Sequence, residues 1–513
     1  MISKLPAGRA IPAFIIAFWL TMTGLLIWRE VMVPALGEDA VLAYTETHRD
    51  AWMGIYVGDT CLGILNTQIR PDTRDGEYGQ WLKIWAQLNV TVVSFPAKLR
   101  LNGTAWAPRG GGVSEFEFSI SSGDHEMAVE ATIEDGVIDG TITTAGEDIS
   151  LRVPVGENVL FAGNMGTASL NVPDLEKGDE IFVDTFDPIS MSVTKAKITC
   201  VGEETINYGG EDVPARVFVT RLSAFESKAW VSEDNEVLRA ETPFGFTLKK
   251  ITQKEALAAL RPAENEDFVG MLAIKPTGKQ PARGAEYMRI RISGLGEDIR
   301  PPVDDTQFKG GMREYVIDVP DEPVRKEGPA LDDEALAEYL ETDPFVQSDH
   351  PKIIALANEI VGDEKDVWKK AVLIYGWLYE NINKTIVMSL PSALDVLKTR
   401  EGDCNEHTVL FTGLARAAGI PARIAIGLVW SDDLKGFYYH AWPEVYVGRW
   451  TWLDPTLGQL PADATHIKLV TGSIDKWTQL LSYLGQLEIE VLDIHGKPTL
   501  KKAGVSGQDT DRN

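Results

Sequence analysis

Cysteine is scarce: Cys61, Cys200 and Cys404 are the three in 513 residues. Three is odd, so at least one thiol stands outside any bridge and is a candidate reactive group. Positive charge is short as well, with 49 Lys and Arg against 76 Asp and Glu and a net charge of −27. Nucleic-acid binding rests on Lys and Arg neutralising phosphate, so that class of partner is excluded. The same deficit repels anionic lipid head groups. A phosphate-cradling loop is missing too. "WAPRGGGVS" holds Gly110, Gly111 and Gly112, but no helix follows it, and it reads as a hairpin loop.

Long apolar runs are equally rare, with one exception. Ile11 to Trp28 carries no charge and is flanked by Arg9 and Arg29. That length suffices to cross a bilayer core and exceeds the apolar region of a cleaved signal peptide. The expectation is a cytoplasmic tip and transmembrane anchor over residues 1–30. Lys4 and Arg9 precede the span, which keeps the N-terminus cytoplasmic and places the bulk in the periplasm or outside the cell.

What is present falls into segments, and a length prior of roughly 150 residues per domain suggests two to four. Residues 48–252 read as an antiparallel β-sheet domain. Short alternating runs such as "VSEFEFSIS" and "HEMAVEATIE" are separated by turn pairs such as Asp135-Gly136 and Gly209-Gly210. Cys61 and Cys200 lie in strand-like segments there, as a disulfide pair or as two buried thiols. Residues 253–345 read as a linker and accessory strands, including "EYMRIRISGL" and "MREYVIDVP". Over 346–495 the period turns helical, with one helix near Pro351–Val361 and another opening at Asp363 with an acidic first turn. "IDKWTQLLSYLG" reads as a later helix and "LEIEVLDI" as a strand. Residues 496–513 are polar and read as a disordered tail.

The chemistry sits in "TREGDCNEHTVLFTGLARAAGIPARIAIG". Cys404, Thr408, Phe411, Leu414, Ala415 and Ala418 fall on one side of a helix, which Gly419 stops and Pro421 keeps from resuming. Cys404 thus lies in the first turn, where unpaired N–H groups and the helix dipole favour a thiolate and could stabilise an oxyanion. A cysteine nucleophile needs a base, and the base an orienting partner. "FYYHAWPEVYVGRWTWLDPT" offers His440 on one strand-like run and Asp454 at the end of the next. A three-residue loop of Val447, Gly448 and Arg449 would set Asp454 opposite Trp442, a diagonal neighbour of His440 within about 7–8 Å. A two-residue loop would put the two on opposite faces unless a bulge near Pro443 intervened. His407 reads first as a structural hydrogen bond and second as a contact to thiol or substrate. Glu444 shares the His440 side of its strand, with solvent or a salt bridge as its default. A Cys404/His407/His440 zinc site has no evident fourth ligand and is set aside.

Together these residues resemble the transglutaminase-like superfamily, of a bacterial membrane-anchored type, whose core is a papain-type cysteine-enzyme fold. The resemblance covers about residues 350–460. It implies that Cys404 in Gly-Asp-Cys is the nucleophile, His440 in His-Ala-Trp the base and Asp454 in Asp-Pro-Thr its orienting partner. "DDTQF" and the strands near it resemble an accessory region found with such domains. The implied chemistry is attack on an amide or peptide carbonyl, with the acyl group passing to water or to an amine. Protein or peptide is the implied substrate, and no cofactor or metal is expected. The sheet of 48–252 resembles envelope carrier domains, which makes a lipid or lipoprotein its candidate ligand. The expected fold class is α+β: a transmembrane helix, a β-rich domain and a transglutaminase-like domain. The runner-up reading is a non-enzymatic envelope protein built on the same scaffold.

Overall fold

The computed structural model describes residues 47–496 except 93–94, 124, 156–158, 162–174, 188–191, 223–224, 243–245, 261–272, 297–298, 326–330, 386–391 and 473–485. Fifteen strands between Arg49 and Ile251 form one sheet. From Arg49–Val57, neighbours follow chain order outward to Glu147–Pro154 at one edge. From Thr247–Ile251 they run in reverse chain order to Val159–Phe161 at the other. The two runs join where Trp52 lies opposite Ile251. Pairing is antiparallel except between Val159–Phe161 and Glu180–Asp187. Alternation drives it: His125–Glu134 buries His125, Met127, Val129 and Ala131 and turns the residues between them outward. Asp135 and Gly136 both take positive φ, as a two-residue hairpin turn requires.

Three smaller sheets follow, one of them only the parallel pair Asn383–Lys384 and Glu401–Gly402. Thr277–Gly278, Tyr287–Ser293, Gln307–Gly311, Glu314–Asp318 and the C-terminal strand Glu488–His495 form a five-stranded sheet, with the C-terminal strand beside Tyr287–Ser293. Residues 488–495 are thereby tied to the accessory strands rather than to the helices. The other sheet has four strands, in the order Trp450–Trp452, Gly436–Tyr446, Ala422–Ser431, His466–Thr471. Helices Pro351–Val361, Val367–Asn381, Ala393–Thr399 and Cys404–Ala417 belong to the same part of the chain. Cys404–Ala417 packs against the other three and against two strands of the four-stranded sheet. Glu406 through Ala415 are all buried. A helix apolar on one stripe would not fill that place; a central helix is enclosed all round.

The expected fold class is corrected. Strands dominate, because the fifteen-stranded sheet extends from Arg49 to Ile251 and the C-terminal part adds three more sheets to its short helices. The expected membrane anchor and single-pass localisation are corrected as well. No helix among the described residues is long and apolar enough to cross a membrane. The longest of them, Val367–Asn381, has 15 residues, or about 22 Å at 1.5 Å each, against a hydrocarbon core of about 30 Å. The expected span 11–28, the helix over 474–485 and the tail from 497 lie outside the described residues.

One apolar core joins the large sheet to the C-terminal part. Phe116, Val129, Ile138 and Ile142 cluster with Ile353, Leu394 and Leu410. At that junction His125 bonds Asp395, Lys398 Nζ donates to the Ala145 carbonyl at 3.1 Å, and Glu147 pairs with Lys352.

Candidate active site

Asp403 caps the Cys404 helix. Its carboxylate accepts the Asn405 N–H at 3.0 Å and the Glu406 N–H, while Glu406 Oε2 accepts the Asp403 N–H at 3.0 Å. Gly402 is fixed by that box: a Cβ there would lie 2.1 Å from Glu406 Cβ. The Gly-Asp-Cys order therefore has a packing cause. Cys404 follows the cap, half-buried, with the Ala441 N–H directed at its sulfur. The lowered thiol pKa expected from the helix N-terminus is not what these surroundings give. Burial pushes the Cys404 thiol well above its ordinary value, and the carboxylates of Asp403, Glu406 and Asp454 add to the rise, against the Ala441 N–H. The same cap takes up two of the first-turn amides, leaving that of Cys404 itself for an oxyanion.

The register expected for the base is present. Tyr446 pairs with Trp450 and Glu444 with Trp452 across a loop of Val447, Gly448 and Arg449, which brings Asp454 toward Trp442. His440 Nε2 donates to Asp454 Oδ2 at 2.8 Å, with both residues essentially unexposed. Its Nδ1 then carries the lone pair that a general base needs. Burial holds His440 below its ordinary pKa, against the pull of Asp454, with His466 and Arg283 adding to the lowering. Asp454 Oδ1 accepts the Leu457 N–H at 2.8 Å, the turn that Asp-Pro-Thr makes. Burial works against its charge, yet His440 and His466 hold Asp454 far below the usual carboxylate range.

Over this helix–strand frame, residues 354–455 match the model of the transglutaminase-like superfamily. Residues 354–455 carry a transglutaminase-like domain. A protein of uncharacterised function from Haemophilus influenzae is 26% identical over 171 residues, 32% of this chain and 37% of that relative. The match thus spans little more than a third of the relative's length. Among solved structures, a candidate cysteine protease from Cytophaga hutchinsonii is 20% identical with a TM-score of 0.27, over 42% of this chain and 85% of that one. The periplasmic domain of TgpA from Pseudomonas aeruginosa is 18% identical with a TM-score of 0.24, over 38% and 76%. Structural likenesses of this size carry no argument of their own. The domain match places the chain among candidates for cysteine-enzyme chemistry.

Several polar residues of the transglutaminase-like domain and its neighbours have other partners. His407 Nδ1 meets the Asp403 carbonyl at 2.7 Å, and its Nε2 finds no partner among the described residues. Glu444 takes the salt-bridge option: Arg423 and Lys468 hold its two carboxylate oxygens, and Lys468 also reaches Asp304. Asp304 opens the "DDTQF" stretch, and Gln307 from the same stretch exchanges bonds with the Lys468 backbone at 2.8 and 2.9 Å. The accessory region is thus bolted to the strand carrying His466 and Lys468. Cys61 and Cys200 are free thiols, one half-buried and one buried.

Sequence reasoning missed His466. Its Nε2 lies 3.1 Å from Asp454 Oδ2, so that one carboxylate oxygen faces two imidazoles. Its strand is separated from the His440 strand by Ala422–Ser431, which contributes Gly427 opposite His440. A Cβ on Gly427 would meet the Ile467 carbonyl at 1.9 Å, so the absent side chain lets the outer strands' rings approach to 5.7 Å. The signal was there in two places: a glycine inside "RIAIGLVW", and His466 and Lys468 alternating with apolar residues in "HIKLVT". His440, Asp454 and His466 also offer three ligand-type atoms within 4.8 Å. The two histidine contacts to Asp454 lie at hydrogen-bond distance.

Proposed function

We propose that the protein is a cysteine enzyme acting on amide or peptide bonds through a thioacyl intermediate. Cys404 Sγ attacks the carbonyl carbon while His440 Nδ1 takes the thiol proton. The C–N bond then breaks, and the leaving amine departs with the proton that His440 returns. Water or a second amine, deprotonated by His440, attacks the thioester and regenerates the thiol. Because Cys404 is pushed up and His440 down, the proton stays on sulfur in the resting site and moves during attack. The observation carrying this reading is the buried 2.8 Å His440–Asp454 bond, on the strand whose Ala441 N–H faces the Cys404 sulfur.

The test offers glutamine-containing peptides with hydroxylamine as acceptor over pH 6–9, with mass spectrometry of the Cys404 peptide. An acyl adduct on Cys404 that is absent in His440→Ala supports the proposal. Turnover unchanged in Cys404→Ala, or no adduct and no hydroxamate at any pH, sinks it.

A further inference from the structure

His466 is not needed by a Cys–His–Asp mechanism, yet it is wholly buried and bonded at both ring nitrogens. Nδ1 faces the Asp463 carbonyl at 3.1 Å and Asp463 Oδ1 at 3.4 Å. Nε2 faces Asp454 Oδ2 at 3.1 Å. A carbonyl and an ionised carboxylate only accept, so each ring nitrogen must carry a proton. A ring protonated at both nitrogens is an imidazolium.

The carboxylates on either side have the donors to remain ionised. Asp463 Oδ2 accepts from the Gly284 N–H at 2.7 Å and Gln459 Nε2 at 2.6 Å, and its Oδ1 accepts the Thr465 N–H at 2.9 Å and its hydroxyl at 2.5 Å. Asp454 accepts from Leu457 and from His440 besides. We propose that His466 is a fixed imidazolium, a positioning residue that locks Asp454 in place and keeps His440 neutral until Cys404 attacks.

This deepens the cysteine-enzyme reading and rests on it for its catalytic meaning. In a lone His–Asp pair the carboxylate draws a proton onto the histidine. Here the charge of His466 cancels that of Asp454, while Asp463 answers His466 from its far side. The charged and titratable groups facing His440 are Asp454, His466, Arg283 and Tyr438. Two of them are cations, so protonating His440 is opposed. Burial alone would lower His466, but bonds to Asp454 and Asp463 raise it to about 9. The resting site is then thiol plus neutral imidazole rather than a thiolate–imidazolium pair.

The full chain labelled with ¹⁵N-histidine has seven imidazoles to follow. The expected spectrum shows both His466 nitrogens protonated from pH 6 to 8, assigned by their loss in His466→Gln, and His440 as the neutral Nε2–H tautomer at pH 7. A bare nitrogen on His466 at pH 7 overturns the proposal. His466→Gln removes the charge, so the His440 midpoint should rise by roughly one to two pH units, from unit charges about 6 Å apart at an effective dielectric near 20. An unmoved or lower midpoint overturns the proposal as well. Should that variant not fold, Asp463→Asn keeps the acceptor and removes the charge, and the His466 midpoint must fall; an unchanged one counts against it. None of these readouts needs turnover, so a neutral His466 in an active enzyme refutes this inference alone. A charged His466 in a chain that never acylates refutes only the function.

Discussion

Lys468 and His466 are the residues where burial and charge conflict most. Lys468 is unexposed, bonded to Asp304 and Glu444, with its ammonium 4.7 Å from the centre of the Trp452 ring. Removing one partner of such a set leaves a buried charge uncompensated, which costs about 3–5 kcal/mol. Lys468→Met should therefore lower stability by about 3 kcal/mol or more in urea denaturation, and Lys468→Met with Glu444→Gln by less than the two separate losses combined. A loss under about 1 kcal/mol would show the charge is not held as described. His466 gives a pH signature. Its folded pKa, raised to about 9, exceeds the ordinary value near 6.5. That stabilisation is fully present below pH 6.5 and lost as pH rises through 9, for about 3 kcal/mol shared with Asp454 and Asp463. The urea midpoint should fall between pH 6.5 and 9.5, and fall less in His466→Gln; parallel curves would refute the assignment. At this scale the approach of His440 to Asp454 was legible, because the three-residue loop between their strands sets the register. The approach of His466 to Asp454 was not, because it depends on the pairing of Ala422–Ser431 with His466–Thr471, which no turn sets and whose register shifts at a bulge.

The Cys404 helix shows what element-level reasoning sees and what it misses. Its start at Cys404, its stop at Gly419 and the helix Pro351–Val361 follow from caps and period, and all three are found. The Val367–Asn381 helix starts later than the acidic run suggested, because Asp366 and not Asp363 accepts the capping N–H. The electrostatics of the Cys404 N-terminus went the other way for a related reason. The residue that caps it is a carboxylate, and the helix partner of that carboxylate is a buried glutamic acid that burial and Asp403 push well above its ordinary pKa. Asp403→Asn separates capping from charge, since Asn and Asp cap about equally. Stability should change by a few tenths of a kcal/mol at most. Alkylation of Cys404 by iodoacetamide at pH 7.5 should rise several-fold, because a negative neighbour of the thiolate is gone. Asp403→Ala should instead cost about 1 kcal/mol through the lost cap. Equal alkylation rates in Asp403→Asn and the parent would place the control of the thiol elsewhere.

At the scale of the molecule, alternation and turn pairs made the large sheet legible, but not its extent as one fifteen-stranded sheet, nor the return of Glu488–His495 to the accessory strands. Those depend on pairings between segments far apart in the chain, which no local pattern encodes. The docking of the sheet on the helices is of the same kind. His125 and Asp395 are 270 positions apart, both nearly unexposed, and bonded to each other. Asp395 belongs to the short helix Ala393–Thr399, and Cys404 begins five residues beyond that helix. The core is continuous across the junction, so loosening this bond should be felt along that path. His125→Ala leaves the Asp395 carboxylate buried without its partner, and Asp395→Ala leaves an imidazole N–H with no acceptor. Each should destabilise by about 3 kcal/mol, and a double-mutant cycle in urea should return a coupling of about 1–3 kcal/mol. Amide exchange should rise over residues 393–404 in His125→Ala, although that substitution lies in the sheet. Additive energies with unchanged exchange at 393–404 would mean that the sheet rests on the helices of the C-terminal part without bracing them.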